Sequence, residues 1–531
     1  MDRTHSPQTI HFVSLGCPKN RVDSEVMLGV ARAAGYDHVS DPRDAETIVV
    51  NTCGFIGEAK KESIDAIFEM AEHKSTGSCQ RLVVAGCLSQ RHPDDLAREM
   101  PEVDHFLGSS DMLKLGEVLR GGADRMLVGN PAEWLIRSTD PRTLTTPGAS
   151  AYVKIAEGCN RTCAFCVIPD LRGKQRSRPI DDVVREVEQL AAAGVREINL
   201  VSQDTIAYGR DLPKSPMERR RPAGPAGKMP ALHAPMERWR PAGPAGKMPA
   251  LHAPMERRRP AGPAGKMPAL HASRRDGLAA LVRRVADVAG IAWVRLFYLY
   301  PETVDDELIA LLAEHERVVP YIDMPLQHAS DAMLRRMRRG HGGERLRRVV
   351  TTLREKIPGL VFRTAFIVGH PGETDADFEE LCAFVEWAEF DRVGVFRFSD
   401  EESAPTYTMD AKVRPLVASN RYRRLMALQR RIAHRKNAAF VGRELEVLVE
   451  GTSDEHEYVL MGRHAGQAPD IDGQVYLSGG EARSGEMRRV VITQASDYDL
   501  VGELLGDAPV HQRKRHQAPT VRRVSLPLVR Y

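Results

Sequence analysis

The chain has 531 residues, 42% of them hydrophobic, with 75 Lys and Arg against 72 Asp and Glu and a formal net charge of +3. That length exceeds one compact domain. No apolar run reaches the 18 residues of a membrane span, and the polar start Met1–Gln8 lacks the apolar stretch of a signal peptide, so a cytoplasmic location without a membrane partner is expected. The small net charge conceals a division: residues 214–275 carry +11 and residues 506–531 carry +5, leaving −13 on the rest. An acidic body repels bare nucleic acid and suits a basic partner, so nucleic acid is expected to touch only the basic insert and tail. Eight cysteines in such a chain argue against a disulfide framework and toward metal or redox chemistry.

Residues 9–122 alternate strand and helix. Strand-like runs are Ile10–Ser14, Thr47–Val50 and Arg81–Ala85, and between them Val22, Val26, Val30 and Ala33 share one helical face. This pattern predicts a small parallel α/β sheet. Residues 145–435 alternate again, with strands expected at Tyr152–Ala156, Glu197–Ser202, Trp293–Tyr298, Val319–Asp323, Val361–Val368 and Val393–Phe398. A helix over Asp181–Ala193 is closed by Gly194. Six such units predict a partial (β/α)6 barrel, whose functional loops would lie at the carboxyl ends of its strands. Three near-identical 19-residue copies interrupt it at 216–272; rich in Pro, Gly, Ala and Arg, they are expected to be a disordered surface loop. Residues 437–505 change to short β-type runs, Leu445–Val449, Tyr458–Met461, Gln474–Leu477 and Arg489–Thr493, spaced by turn residues, which predict a small antiparallel β-barrel. The basic tail 506–531 is expected to be disordered.

Cys159, Cys163 and Cys166 share one loop just after an expected strand. Thiolates are soft ligands suited to iron–sulfur clusters, and three of them on a four-iron cluster would leave one iron open, the arrangement of a reactive site. A zinc knuckle would need a fourth Cys or His, and this loop holds none. Cys17, Cys53 and Cys87 each follow one of the first three strands. A parallel sheet would bring them to one edge, where α/β sheets bind ligands, although a single cysteine so placed is by default a small buried hydrophobe. Cys79 and Cys382 lack such placement and read as structural. Gln203 and Asp204 at another strand end suit the polar part of a cofactor, or a helix cap. The turn Gly369–Glu373 would let backbone approach a nucleotide through its glycines, or is a plain strand–helix turn.

The stretches SLGCPKNRVDSE at 14–25, NTCGFI at 51–56, VAGCLSQR at 84–91, YVKIAEGCNRTCAFCVIP at 152–169, PLQH at 325–328 and FIVGHPGET at 366–374 resemble the methylthiotransferases of the radical S-adenosylmethionine superfamily, most closely the branch acting on ribosomal protein uS12. The resemblance spans residues 9–505 apart from the insert. It implies two 4Fe-4S clusters, one on Cys159, Cys163 and Cys166 with S-adenosylmethionine on its open iron, and one on Cys17, Cys53 and Cys87 that delivers sulfur. It also implies that Phe165 lies near the adenine and that the C-terminal barrel is a TRAM-like substrate-binding module; Gln203, Asp204, Gly369 and Glu373 are the cofactor contacts expected from their strand-end positions. The reaction implied is methylthiolation of an aspartate β-carbon in uS12, free or on the small ribosomal subunit, with a second S-adenosylmethionine as methyl donor and a protein reductant. Such a carbon has no acidic proton and no leaving group, so a radical is the route left. The rival substrate is an adenosine in transfer RNA. Residues 440–505 hold 5 Lys and Arg against 13 Asp and Glu, which favours a basic protein over RNA. A two-cluster electron carrier would need four protein ligands per cluster.

Overall fold

The computed structural model describes residues 8–146, 148–213, 277–301, 304–453 and 459–506. The repeats at 216–272, the tail after Gly506, Glu302 and the expected strand start at Tyr458 lie outside the described residues. No helix among the described residues is long and apolar enough to cross a membrane.

The first sheet has six strands, all paired in parallel, with Thr9–Ser14, Thr47–Thr52 and Arg81–Gly86 side by side. Every residue of Thr47–Thr52 is buried, as a central strand covered on both faces requires. Helix Pro18–Ala33 starts with proline at its first position, where no backbone N–H bond is lost. Val22, Val26 and Val30 are buried, but Ala33 is exposed in the fraying last turn. Polar side chains of the helix are buried too, including Lys19, Asn20, Asp23 and Glu25, because the helix also lies against the second sheet, where Lys154 meets Asp23.

That second sheet has six parallel strands in the spatial order Arg392–Arg397, Val361–Val368, Val318–Asp323, Trp293–Leu296, Glu197–Val201, Ser150–Lys154. It is an open, partial barrel. Its outer face is apolar and packs under helices such as Ile180–Ala192, Leu278–Ala286 and Asp375–Ala388. Gly194, at φ +91°, ends the first of these just past its Ala193 cap. The inner face mixes rings with charge: Tyr152, Asn199 and Arg295 stand in one register row, since side chains alternate between faces. Both neighbouring domains plug this face. Val22 and Val26 of the N-terminal helix, Tyr152, Phe297 and Tyr321 of the barrel, and Ala468 from the C-terminal domain form one core.

The C-terminal domain is a closed five-stranded barrel. Four neighbouring pairs are antiparallel, while Val475–Ser478 and Leu500–Leu504 run parallel. Leu500–Leu504, absent from the sequence reading, closes it between Val475–Ser478 and Met487–Ala495. Its loop reaches the barrel: Tyr152 Oη donates to Pro469 O at 2.8 Å, and Tyr321 Oη to Asp472 Oδ2 at 2.7 Å.

Candidate functional site

Cys17, Cys53 and Cys87 follow three adjacent parallel strands, so they meet at one sheet edge. Two glycines allow the approach. A Cβ on Gly16, whose φ is +89°, would fall 2.9 Å from Cys53 Cβ and 3.2 Å from Cys53 Sγ. A Cβ on Gly54 would fall 2.7 Å from Cys87 O. The thiols sense one another: burial pushes Cys53 up to about 12, and Cys87 and Cys17 push it the same way.

Cys159, Cys163 and Cys166 lie in a loop tied back by Cys159 N–H to Gly173 O at 3.1 Å and by Ala164 N–H to Met337 O at 3.0 Å. Burial raises Cys159 to about 11, Asp204 and Cys163 adding to it, and Cys166 to about 12, Cys163 and Cys159 adding to it. Arg161 N–H donates to Cys159 Sγ at 3.4 Å, and Arg339 Nη1 to Cys163 Sγ at 3.4 Å. Both guanidiniums also lie on the Tyr300 ring, at 3.8 and 4.1 Å. Among the described residues no three His, Cys, Asp or Glu side chains stand at the spacing of a single-ion site. Cys79 packs in the N-terminal core and Cys382 against the outer apolar layer of the barrel, apart from both sets.

A buried charged junction joins the two sets. Arg172 reaches from just beyond the second cysteine loop to Cys87 Sγ at 3.2 Å, Asn20 Oδ1 at 3.2 Å and Asp23 Oδ2 at 2.7 Å. Lys154 Nζ holds the other Asp23 oxygen at 2.7 Å and also pairs with Glu157. Burial alone would raise Glu157, but Lys154 and Arg172 bring it down to about 2. Lys19 leans over Tyr298, its Nζ 3.3 Å from the ring centroid. Burial opposes that charge, yet Tyr298, Cys17 and Glu157 hold its pKa above the usual lysine value. Tyr298 keeps φ at +58°, an unfavourable conformation for a bulky residue. These residues escaped the sequence reading. The visible signal was charge set inside apolar text beside each cysteine motif, as in KNRVDSE and YVKIAEG.

At the end of strand Glu197–Val201, Gln203 Nε2 donates to Glu157 Oε1 at 2.6 Å and Asp204 Oδ2 accepts from Arg161 Nε at 2.6 Å. Gln203 Oε1 and Asp204 Oδ1 are buried without a donor. Buried acceptors are normally satisfied, so two orphans beside the cysteine loop fit a ligand that brings donors, as the ammonium and ribose hydroxyls of S-adenosylmethionine would. Two sets of three soft thiols, with cationic donors on their sulfurs, likewise fit iron–sulfur clusters. Phe165 is partly buried against the barrel core. Gly369 and Glu373 sit at a different strand end. A Cβ on Gly369 would fall 2.5 Å from Ala418 Cβ, and Glu373 is taken by Gly369 N–H, His328 and Arg421.

Three family descriptions match along the chain: an uncharacterized protein family, UPF0004, over residues 9–108, the radical SAM superfamily over 153–239 and 264–385, and the TRAM domain over 441–505. Parallel barrel, cysteine loop and superfamily match together define a radical SAM enzyme. The chain is 72% identical to the ribosomal protein uS12 methylthiotransferase RimO of Sorangium cellulosum, over 94% of this chain and 92% of that protein. The proteins of that name from Myxococcus xanthus and Anaeromyxobacter sp. (strain K) are 45% and 46% identical, over 99% and 94% of this chain and 97% and 94% of their own lengths. The chain belongs to the ribosomal protein uS12 methylthiotransferase family. Among solved structures, the radical S-adenosylmethionine methyltransferase TsrM from Kitasatospora setae aligns with a TM-score of 0.45 and 15% identity, over 76% of this chain and 77% of its own.

Proposed function

We propose that the chain methylthiolates the β-carbon of an aspartate in ribosomal protein uS12, with S-adenosylmethionine as source of both radical and methyl group. The N-terminal domain (9–122), the radical SAM core (145–435) and the TRAM-like barrel (437–505) would share the work. Cys159, Cys163 and Cys166 would hold one 4Fe-4S cluster, and Cys17, Cys53 and Cys87 a second. When bound, the two supply one-electron cleavage of S-adenosylmethionine and sulfur, respectively. The observation that carries the reading is Arg172, which leaves the radical SAM loop region and donates to Cys87 of the other set.

The chain's own residues have definable tasks. Gln203 Oε1 and Asp204 Oδ1, buried without a donor, would accept from the cofactor, and Phe165 would pack on its adenine side. Arg161 and Arg339 steady the loop through Tyr300 and offset negative charge on Cys159 and Cys163. Gly369 and Glu373 would act indirectly, Glu373 fixing its own strand–helix turn through Gly369 N–H and Arg421. Burial of Cys87, Cys159 and Cys163, none more than 9% exposed, keeps water from a reactive radical. Residues 440–505 carry 13 Asp and Glu against 5 Lys and Arg, a negative balance that suits a basic ribosomal protein.

The test is mass spectrometry of uS12 from cells with and without this gene. A methylthio group on one aspartate should vanish on deletion. An unchanged uS12, with a methylthio group lost from transfer RNA instead, would overturn the substrate.

A further inference from the structure

We propose that Lys19 is the receptor for the side-chain carboxylate of the target aspartate. The inference deepens the uS12 reading and rests on it.

Lys19 stands two residues past Cys17, yet its ammonium lies on Tyr298, beyond the end of barrel strand Trp293–Leu296. It bridges the N-terminal domain and the end of that barrel strand. The target carbon would sit at this junction, because it has to be reached from both sides. In aspartate the β-carbon is bonded directly to the carboxylate carbon. A cation that grips the carboxylate therefore positions the reacting carbon to within a single bond.

Charge pairing at the junction points the same way. Asp23 is bonded by both Lys154 and Arg172, and the same two cations pair with Glu157. Two positive and two negative groups close on themselves. Lys19 is left over: it is 7% exposed, and among the described residues it forms no ion pair. A nearly buried ammonium seated on a π surface, with no carboxylate in ion-pair contact, is an arrangement that an arriving carboxylate completes. The platform is rigid. Asp323 Oδ2 accepts the Tyr298 N–H at 3.1 Å, Thr205 N–H donates to Tyr298 O at 3.2 Å, and together they hold the ring at its strained φ of +58°.

The experiment uses the reconstituted holoenzyme, recombinant uS12, and uS12 whose target aspartate is changed to asparagine. Wild-type enzyme should bind the aspartate form about tenfold more tightly, a typical value for a charge-assisted contact. Lys19→Met should bind both forms alike, and Lys19→Arg should restore part of the difference. Iron content and affinity for S-adenosylmethionine should stay within about twofold of wild type, the scatter expected of an uncoupled site. Undiminished discrimination in Lys19→Met overturns the proposal. So does loss of S-adenosylmethionine affinity, which assigns the cation to the cofactor's carboxylate, or loss of iron, which assigns it to the Cys17 set. If wild-type enzyme neither binds nor modifies uS12, the parent reading falls and this inference with it.

Discussion

Arg172 bonds a cysteine sulfur and a carboxylate at once, which ties the two halves of the site through one side chain. A cationic donor on a ligating sulfur favours the more negative, reduced state of a cluster. Arg172→Gln should therefore lower the midpoint potential of the cluster proposed on Cys17, Cys53 and Cys87, and Arg172→Lys should recover part of it, as read by potentiometric titration with EPR. Stability should fall by about 1.5–3 kcal/mol, the range for a hydrogen bond to a charged group. The cysteines separate the two roles. Cys159→Ala should halve the iron from about eight to about four atoms per chain and abolish S-adenosylmethionine cleavage, while Cys53→Ala should halve the iron and keep cleavage but lose methylthio transfer. Iron and acid-labile sulfide analysis with a 5′-deoxyadenosine assay checks both. The local spacing of Cys159, Cys163 and Cys166 was readable from the chain. The partners of their sulfurs were not: Arg339 lies 176 residues from Cys163.

At the scale of elements, strand Glu197–Val201 is fastened to the C-terminal barrel by its first residue. Glu197 accepts from Arg463 Nη2 at 2.5 Å and Arg295 Nε at 3.0 Å, all three side chains being buried. Burial pushes its carboxyl up, but Arg463 and Arg295 hold it at about 2, below the ordinary 4.5. A depressed carboxyl stabilises the fold above 4.5, and that contribution is lost as the pH falls from 4.5 toward 2. Glu197→Gln should cost about 3–5 kcal/mol at neutral pH, because it strands two buried guanidiniums. It should also flatten the pH dependence of thermal unfolding within that window. An unchanged slope there would show that Glu197 is not the group responsible. Strand positions were legible to within a few residues: Val393–Phe398 is Arg392–Arg397 in the structure, and Tyr152–Ala156 is Ser150–Lys154. The polar inner face of those strands was not legible, because periodicity marks alternation without saying what covers each face.

At the scale of the whole molecule, two domains close over the open side of a third, and the candidate site lies where the N-terminal one meets the barrel. The C-terminal domain carries net negative charge, 13 Asp and Glu against 5 Lys and Arg over residues 440–505, so attraction of the proposed basic partner should weaken with salt as screening shortens its reach. Binding of uS12 should loosen progressively between about 0.05 and 0.5 M salt, measured by fluorescence anisotropy. Salt-insensitive binding, or equal affinity for isolated transfer RNA, would contradict this view of the surface.

The sequence by itself determined the alternation that builds each sheet, the one-loop spacing of Cys159, Cys163 and Cys166, and the repeated strand-end position of Cys17, Cys53 and Cys87. These follow from local rules, since side-chain direction and loop length depend on neighbours in the chain. Only the tertiary structure decided how the two sets are joined and which charges are buried between them. Lys154 and Asp23 are 131 residues apart. A buried ion is tolerable only beside its partner, and that partner is set by the packing of domains, not by any window of sequence.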